Sequence, residues 1–268
     1  MKLACQEHIL PGEGILEKWE FAASAGFDGI ELRGTEAWLG RLDDLGSARE
    51  HGVVFSSVCL ISDRFIGDLD AGRRREAVEH MKHLLSGIAE LGGTGAVTPA
   101  AFGLASKRLP PFEVPRTEEE DRRVLLDTLE ELGEHAECEG TLVLLEPLNR
   151  YEDHMLNRVE QAVDLCEAAG RPSVKVMGDL FHMNIEEDDL GETIRQTEGH
   201  IAHVHLADSN RLQPGAGHTD FAGAFDALSG IGFDGYMAME CGIRGDTREA
   251  LPEVVRHLRS WRGRRNRV

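Results

Sequence analysis

Eight successive β-then-α units predict a single (β/α)8 barrel of the TIM type, with residues 1–268 as one domain. Two observations carry that expectation. Apolar strand-like runs alternate with amphipathic helical stretches from end to end, and no break in composition marks a linker. No GxGxxG opens a helix after the first strand or elsewhere, which argues against an open doubly wound sheet.

The units follow in order. A short strand at Leu3–Cys5 leads to a loop with His8 and a helix over Glu13–Ala25, stopped by Gly26. The second strand is Gly29–Leu32, closing on Glu31 and Arg33, and a helix fits Leu39–Glu50. The third strand is the β-branched run Val53–Val58. Asp70–Leu91 reads as a long helix, with Met81, Leu84, Leu85, Ile88 and Leu91 at helical spacing and Gly92–Gly93 as its stop. The fourth strand, Gly95–Thr98, is cut by Pro99. The loop Ala100–Arg116 carries three prolines and exceeds an ordinary connection, which suggests a lid or binding segment. Thr117 and Glu120 form a capping box for a helix reaching Glu139, with Gly140 beyond. Strand five, from Leu142, is apolar until it ends on Glu146, where Pro147 terminates the ladder. A helix over Asn157–Ala169 precedes strand six, Val174–Asp179. A helix over Asp189–Thr197 precedes strand seven, Ile201–Leu206. A helix at Ala222–Ser229, strand eight at Tyr236–Glu240 and a helix over Arg248–Trp261 complete the chain.

The net charge of −19, from 48 acidic and 29 basic residues, disfavours nucleic acid and anionic membrane surfaces as partners. The basic cluster at Arg256–Arg267 is short, and reads as a solvated helix end. Cys5, Cys59, Cys138, Cys166 and Cys241 are scattered without a CxxC, as in a reduced cytoplasmic protein. MKLACQEHIL turns polar too soon for a signal peptide, and no apolar window reaches the roughly 18–20 residues of a spanning helix.

In a barrel of this kind the chemistry sits at the carboxyl ends of the strands. Strand five ends on Glu146, six on Asp179 and eight on Glu240, and His205 lies one residue from the end of seven. One acid at a strand end is ordinarily a helix cap or a loop salt bridge. Four strand ends in succession bearing three carboxylates and an imidazole point instead to a divalent metal. The donors suit Mn²⁺, the first expectation, with Mg²⁺ or Co²⁺ as alternatives. Glu152, His182 and Arg211 follow these ends and can grip hydroxyls and a carbonyl, the alternative being a salt bridge such as Glu152 to Arg211. His203 faces inward with His205 and fits a residue that orients a ligand. Glu31 is as readily structural as functional, His8 and Cys59 are weak pocket candidates, and Lys175 lies low on strand six. Asp208 and Asn210 read as turn residues in the glycine-bearing loop before Asp220, where His218 has no assigned role.

LLEPLNRYE (144–152), DLFHMNIEE (179–187), HVHLADSNRLQPGAGHTDF (203–221) and MAMECG (237–242) resemble the xylose-isomerase-like superfamily of sugar isomerases and epimerases. Within it they are most similar to the ketose 3-epimerases of the D-tagatose/D-psicose group and to 5-keto-gluconate epimerases. The intervals of 33, 26 and 35 residues between Glu146, Asp179, His205 and Glu240 fit that superfamily, and the resemblance is strongest over residues 141–242. It implies that these four residues bind the metal. It also implies that Glu146 and Glu240 exchange a proton beside the substrate's ketone, and that Glu152, His182 and Arg211 contact its first carbons and carbonyl. Leu180 departs from the Thr more usual there. The resemblance further implies a small-molecule sugar substrate, a metal-bound enediolate and a dimer or tetramer. A lyase or dehydratase, or an aldose–ketose isomerase, would use the same base and metal. A DNA-repair endonuclease would want more histidines and a basic face, and a non-catalytic metal-binding subunit would not need both Glu146 and Glu240.

Overall fold

A computed structural model describes residues 1–197 and 199–261. The strands are β1 (Lys2–Gln6), β2 (Gly29–Gly34), β3 (Phe55–Leu60), β4 (Gly95–Pro99), β5 (Leu142–Glu146), β6 (Val174–Asp179), β7 (Ile201–Leu206) and β8 (Tyr236–Met239). Each pairs in parallel with the next, and β8 returns to β1, so the sheet closes into the expected barrel. The helices are α1 (Ile15–Ala25), α2 (Leu42–Glu50), α3 (Ala71–Glu90), α4 (Glu118–Glu139), α5 (Val159–Ala169), α6 (Leu180–Glu186), α7 (Leu190–Gln196), α8 (Phe221–Gly230) and α9 (Thr247–Trp261). Among the described residues no helix is long and apolar enough to cross a membrane. Half of the expected basic tail lies outside the described residues, and Arg256 and Arg259 sit on α9.

The period of two along each strand divides the apolar residues into two cores. One face packs beneath the helices, joining Val143 and Leu145 of β5 to Leu129, Leu132 and Ala136 of α4 in the main core. The other fills the lumen, where Cys59, Val97, Leu144 and Met177 pack together with Leu142 and Ala202 against them. The barrel is therefore plugged below its mouth. Continuing the same period up β5 from Leu142 and Leu144 puts Glu146 at the top of the lumen. Register does the rest: Pro99 pairs with Glu146, Asp179 with His205, and His205 with Ala238.

Where observed elements depart from the expected ones, local hydrogen bonds account for it. The β-branched run at Val53 does not yet belong to β3, because the Val53 N–H donates to Ala48 O and closes α2. Leu39 belongs to a 3₁₀ turn, Trp38–Arg41, pinned by the Trp38 Nε1–H to His83 O at 2.9 Å. The Asn157 and Arg158 N–H groups donate to Gln161 Oε1, which delays α5 to Val159. β8 stops at Met239, yet the Glu240 N–H still reaches Leu206 O at 3.3 Å. The stretch after Asp179, to which the sequence reading assigned no element, is α6. The Asp179 carboxylate ends its strand and also caps this helix, accepting from Phe181 and His182 N–H.

Candidate active site and metal centre

Glu146, Asp179, His205 and Glu240 come together at the mouth, with one donor atom from each within 4.8 Å of the others. His205 Nδ1 lies 3.0 Å from Glu240 Oε2, 3.8 Å from Glu146 Oε1 and 3.8 Å from Asp179 Oδ2. Donors each about 2.1 Å from one cation stand roughly 3–4 Å apart, so the spacing fits a shared divalent ion. Of the four donors, Glu146 Oε1 is buried without a hydrogen-bond partner, whereas the buried His205 Nδ1 has Glu240 Oε2 at 3.0 Å. Buried carboxylate oxygens are ordinarily satisfied, so an unpartnered Glu146 Oε1 among these donors fits a cation bound there. The residues fit the metal.

The second face of His205 is occupied. Its Nε2 is 2.8 Å from Glu31 Oε1, while His203 Nε2 is 2.8 Å from Glu31 Oε2. Gln6 Nε2 and Ser57 Oγ–H also donate to this fully buried carboxylate, at 3.0 and 2.6 Å. Burial alone would raise the Glu31 pKa, but the imidazoles of His205 and His203 hold it well below the usual range. Glu31 therefore braces the Nε2 sides of both imidazoles and turns His205 Nδ1 toward the carboxylates. Glu31 and His203 are positioning groups, as half-expected of each. Glu31, His203 and His205 also bring three possible ligand atoms together. They are bonded to one another rather than open to an ion.

His182 takes the opposite orientation. The Asn149 backbone N–H donates to its Nδ1 at 3.2 Å and the Asn149 side chain sits 2.9 Å away. Its proton therefore belongs on Nε2, which lies 4.0 Å from Glu146 Oε1 and 4.0 Å from Asp179 Oδ2. Burial lowers its pKa, so it is a neutral donor aimed into the mouth. Glu152 is 3.9 Å from the Nδ1 side. The alternative bridge from Glu152 to Arg211 is not formed. Arg211, held at φ 57°, bridges the buried Asp179 and the partly buried Glu240 and lies over the Phe181 ring, because two carboxylates attract it more than the single, more exposed acid Glu152 does.

The two glutamates differ. Burial pushes the Glu146 carboxyl well up, with Glu240 and Asp179 adding to it against the pull of His205. Glu240 is also raised by burial, but His205 and Arg211 more than reverse this and leave it low.

Above the cluster is a cavity of about 380 Å³, lined by Glu146, Glu152, His182, Arg211 and Glu240. All five were sequence candidates. Its far wall was not read from the sequence: Leu60 ends β3 and Ile61, Ser62 and Phe65 follow it, Pro99 ends β4 and Phe102 follows it, and Leu148 follows β5. Cys59 lines it as expected, whereas His8 is absent from the lining. Gln6, whose Nε2 also donates to Glu240 Oε1 at 3.0 Å, was missed although it ends β1. The sequence reading ended the first strand at Cys5, one residue short of it. Asp208 is a turn residue as expected, accepting from Ser209, Gly215 and Thr219 N–H. Lys175 reaches Gly199 O at the floor.

A family described as xylose isomerase-like TIM barrel matches residues 19–261. The chain belongs to that family. Its relatives within it include 3-dehydro-D-guloside 4-epimerase of Escherichia coli K12, 37% identical over 97% of this chain and all of that one. L-ribulose 3-epimerase of Mesorhizobium japonicum is 32% identical over 81% of this chain and 71% of its own. The solved structure of 3-keto-D-glucoside 4-epimerase from E. coli superposes with a TM-score of 0.92 at 36% identity, covering 97% and 99% of the two chains. These xylose isomerase-like relatives are epimerases, which bears out the expectation of an isomerase-class enzyme. The 4-epimerases were not among the relatives expected from sequence.

Proposed function

We propose that this protein is a divalent-metal-dependent epimerase that inverts a carbinol centre beside the ketone of a keto-sugar. The observation that carries the reading is the convergence of Glu146, Asp179, His205 and Glu240, with the buried Glu146 Oε1 left without a hydrogen bond. Mn²⁺ is the proposed ion, since three carboxylates and one imidazole are mostly hard oxygen donors. Once bound, it supplies a Lewis acid that polarises the substrate carbonyl.

The chain's own residues do the remainder. His182 Nε2–H and Arg211 donate to the substrate oxygens, and Glu152 accepts from a hydroxyl. One of Glu146 and Glu240 removes the proton beside the ketone, leaving an enediolate, and the other delivers a proton to the opposite side of the same carbon. Each carboxylate is the base in one direction of the reaction and, once protonated, the acid in the other.

The relative that matches over its full length acts, by its name, on a 3-dehydro-guloside. We therefore place a 3-keto-hexoside, inverted at the neighbouring carbon, ahead of a free ketose such as D-psicose. The reaction should incorporate solvent deuterium at that carbon in the presence of Mn²⁺. Exchange should cease with a chelator, and should fall by roughly 10²–10⁴-fold in Glu146→Gln and in Glu240→Gln. Persistence of exchange in both variants would exclude two-carboxylate inversion.

A further inference from the structure

Three βα-loops frame the far side of the cavity: residues 61–70 after β3, 100–117 after β4 and 147–158 after β5. Each supplies pocket lining, including Phe65, Phe102, and Leu148 with Glu152 respectively. The loops are joined behind that lining by a single guanidinium. Arg116, at the end of the β4 loop, donates through Nη2 to Gly67 O and through Nη1 to Asp68 O at 3.3 Å. Its Nε is 2.7 Å from Asp121 Oδ1, and the other oxygen of Asp121 lies 3.4 Å from the wholly buried His154 of the β5 loop. Nη2 also lies 3.9 Å from Met155 Sδ. Arg116 and Asp121 are absent from the residues lining the substrate cavity.

Backbone contacts show how closely the loops meet. The Gly67 N–H donates to Ala100 O at 2.8 Å, and the Gly103 N–H donates to Glu152 O at 2.8 Å. A Cβ on Gly67 would stand 2.6 Å from Met155 Sδ and 2.7 Å from Ala100 O, so glycine is required for this approach.

We propose that Arg116 is a positioning residue that fastens the three loops into one wall of the substrate pocket. It sets how firmly the part of the sugar remote from the metal is held, and touches no substrate itself. The assignment rests on the function proposed above. Arginine suits the role because a planar fork serves two carbonyls and a carboxylate at once, which an ammonium group on a flexible stem does not. Lysine at this position therefore keeps the charge and loses the clamp.

The test uses Arg116→Gln and Arg116→Lys in the full chain with added Mn²⁺. Amide hydrogen exchange is followed in residues 61–68, 100–106 and 150–156, and KM and kcat are measured on a 3-keto-glucoside and on D-psicose. Both variants should speed exchange in all three loops together by about tenfold or more. On whichever sugar is turned over, KM should rise roughly tenfold with kcat within about threefold, the signature of lost uniform binding. Should Arg116→Gln fail to fold, Gly67→Ala opens the same junction from the opposite side and is expected to give the same pattern. Unaltered loop exchange, a loss in kcat alone, or a Lys variant indistinguishable from wild type would each overturn the clamp. If wild-type protein turns over neither sugar, the functional reading has failed, and the exchange measurement still decides the clamp by itself.

Discussion

Asp179 divides its two carboxylate oxygens between jobs that a sequence reading treats as rivals. Oδ1 accepts the Phe181 and His182 N–H groups that start α6, while Oδ2 faces His205 and Arg211. Behind His205, Glu31 fixes the ring from the far side. Replacing Glu31 by Gln keeps the size and removes the charge that braces the imidazole. Metal affinity by titration calorimetry should then weaken about 10–100-fold, as for other groups that orient a ligand. A separate titration belongs to Asp153, whose buried carboxyl is pushed up to about 6 by burial, only partly offset by the Met155 N–H, His154 and further backbone donors. Its folded pKa is above its unfolded value of about 3.9. Its contribution is therefore fully present below pH 4 and is lost as pH rises through about 6, roughly 2–3 kcal/mol in all. Denaturant titrations should show stability falling over that window in wild type, and a flatter profile in Asp153→Asn.

At the scale of elements, α3 and α4 are joined by charges as well as by packing. Glu131 of α4 receives Arg75 and Lys82 of α3, and its carboxyl is drawn down to about 2 chiefly by the Arg75 hydrogen bonds. The group is mostly exposed, so solvent screening reduces its worth to about 0.5–1 kcal/mol. Glu131→Gln should cost that much at neutral pH and less in 1 M salt. The contribution is present above the unfolded carboxyl pKa and disappears as pH falls through about 2. Elements of this kind were legible in the sequence where one local signal governed them. The Thr117–Glu120 capping box and the stops at Gly26 and Gly140, both left-handed at φ 97° and 72°, appear where expected. Helix α6 was not legible, because Asp179 also ends a buried strand, and a strand end and a helix cap look alike in one dimension.

For the whole molecule, the barrel was legible because eight two-faced buried strands leave few other arrangements. The convergence of the four residues proposed to hold the metal was legible for a related reason. In a closed parallel barrel every strand points its carboxyl end into the same mouth, so residues 94 positions apart in sequence, Glu146 and Glu240, meet. The pocket's far wall carried no such signal, since Phe65, Phe102 and Leu148 are brought together only by loop contacts that span three connections. The salt bridge weighed as an alternative between Glu152 and Arg211 is not formed, as Asp179 and the partly buried Glu240 take the guanidinium instead. The central claim is that one divalent ion is shared by four strand ends. An anomalous difference map from Mn²⁺-soaked crystals tests it most directly. The expected result is one strong peak per chain, about 2.0–2.4 Å from oxygens of Glu146, Asp179 and Glu240 and from His205 Nδ1; no peak there, or a peak elsewhere on the surface, would contradict it.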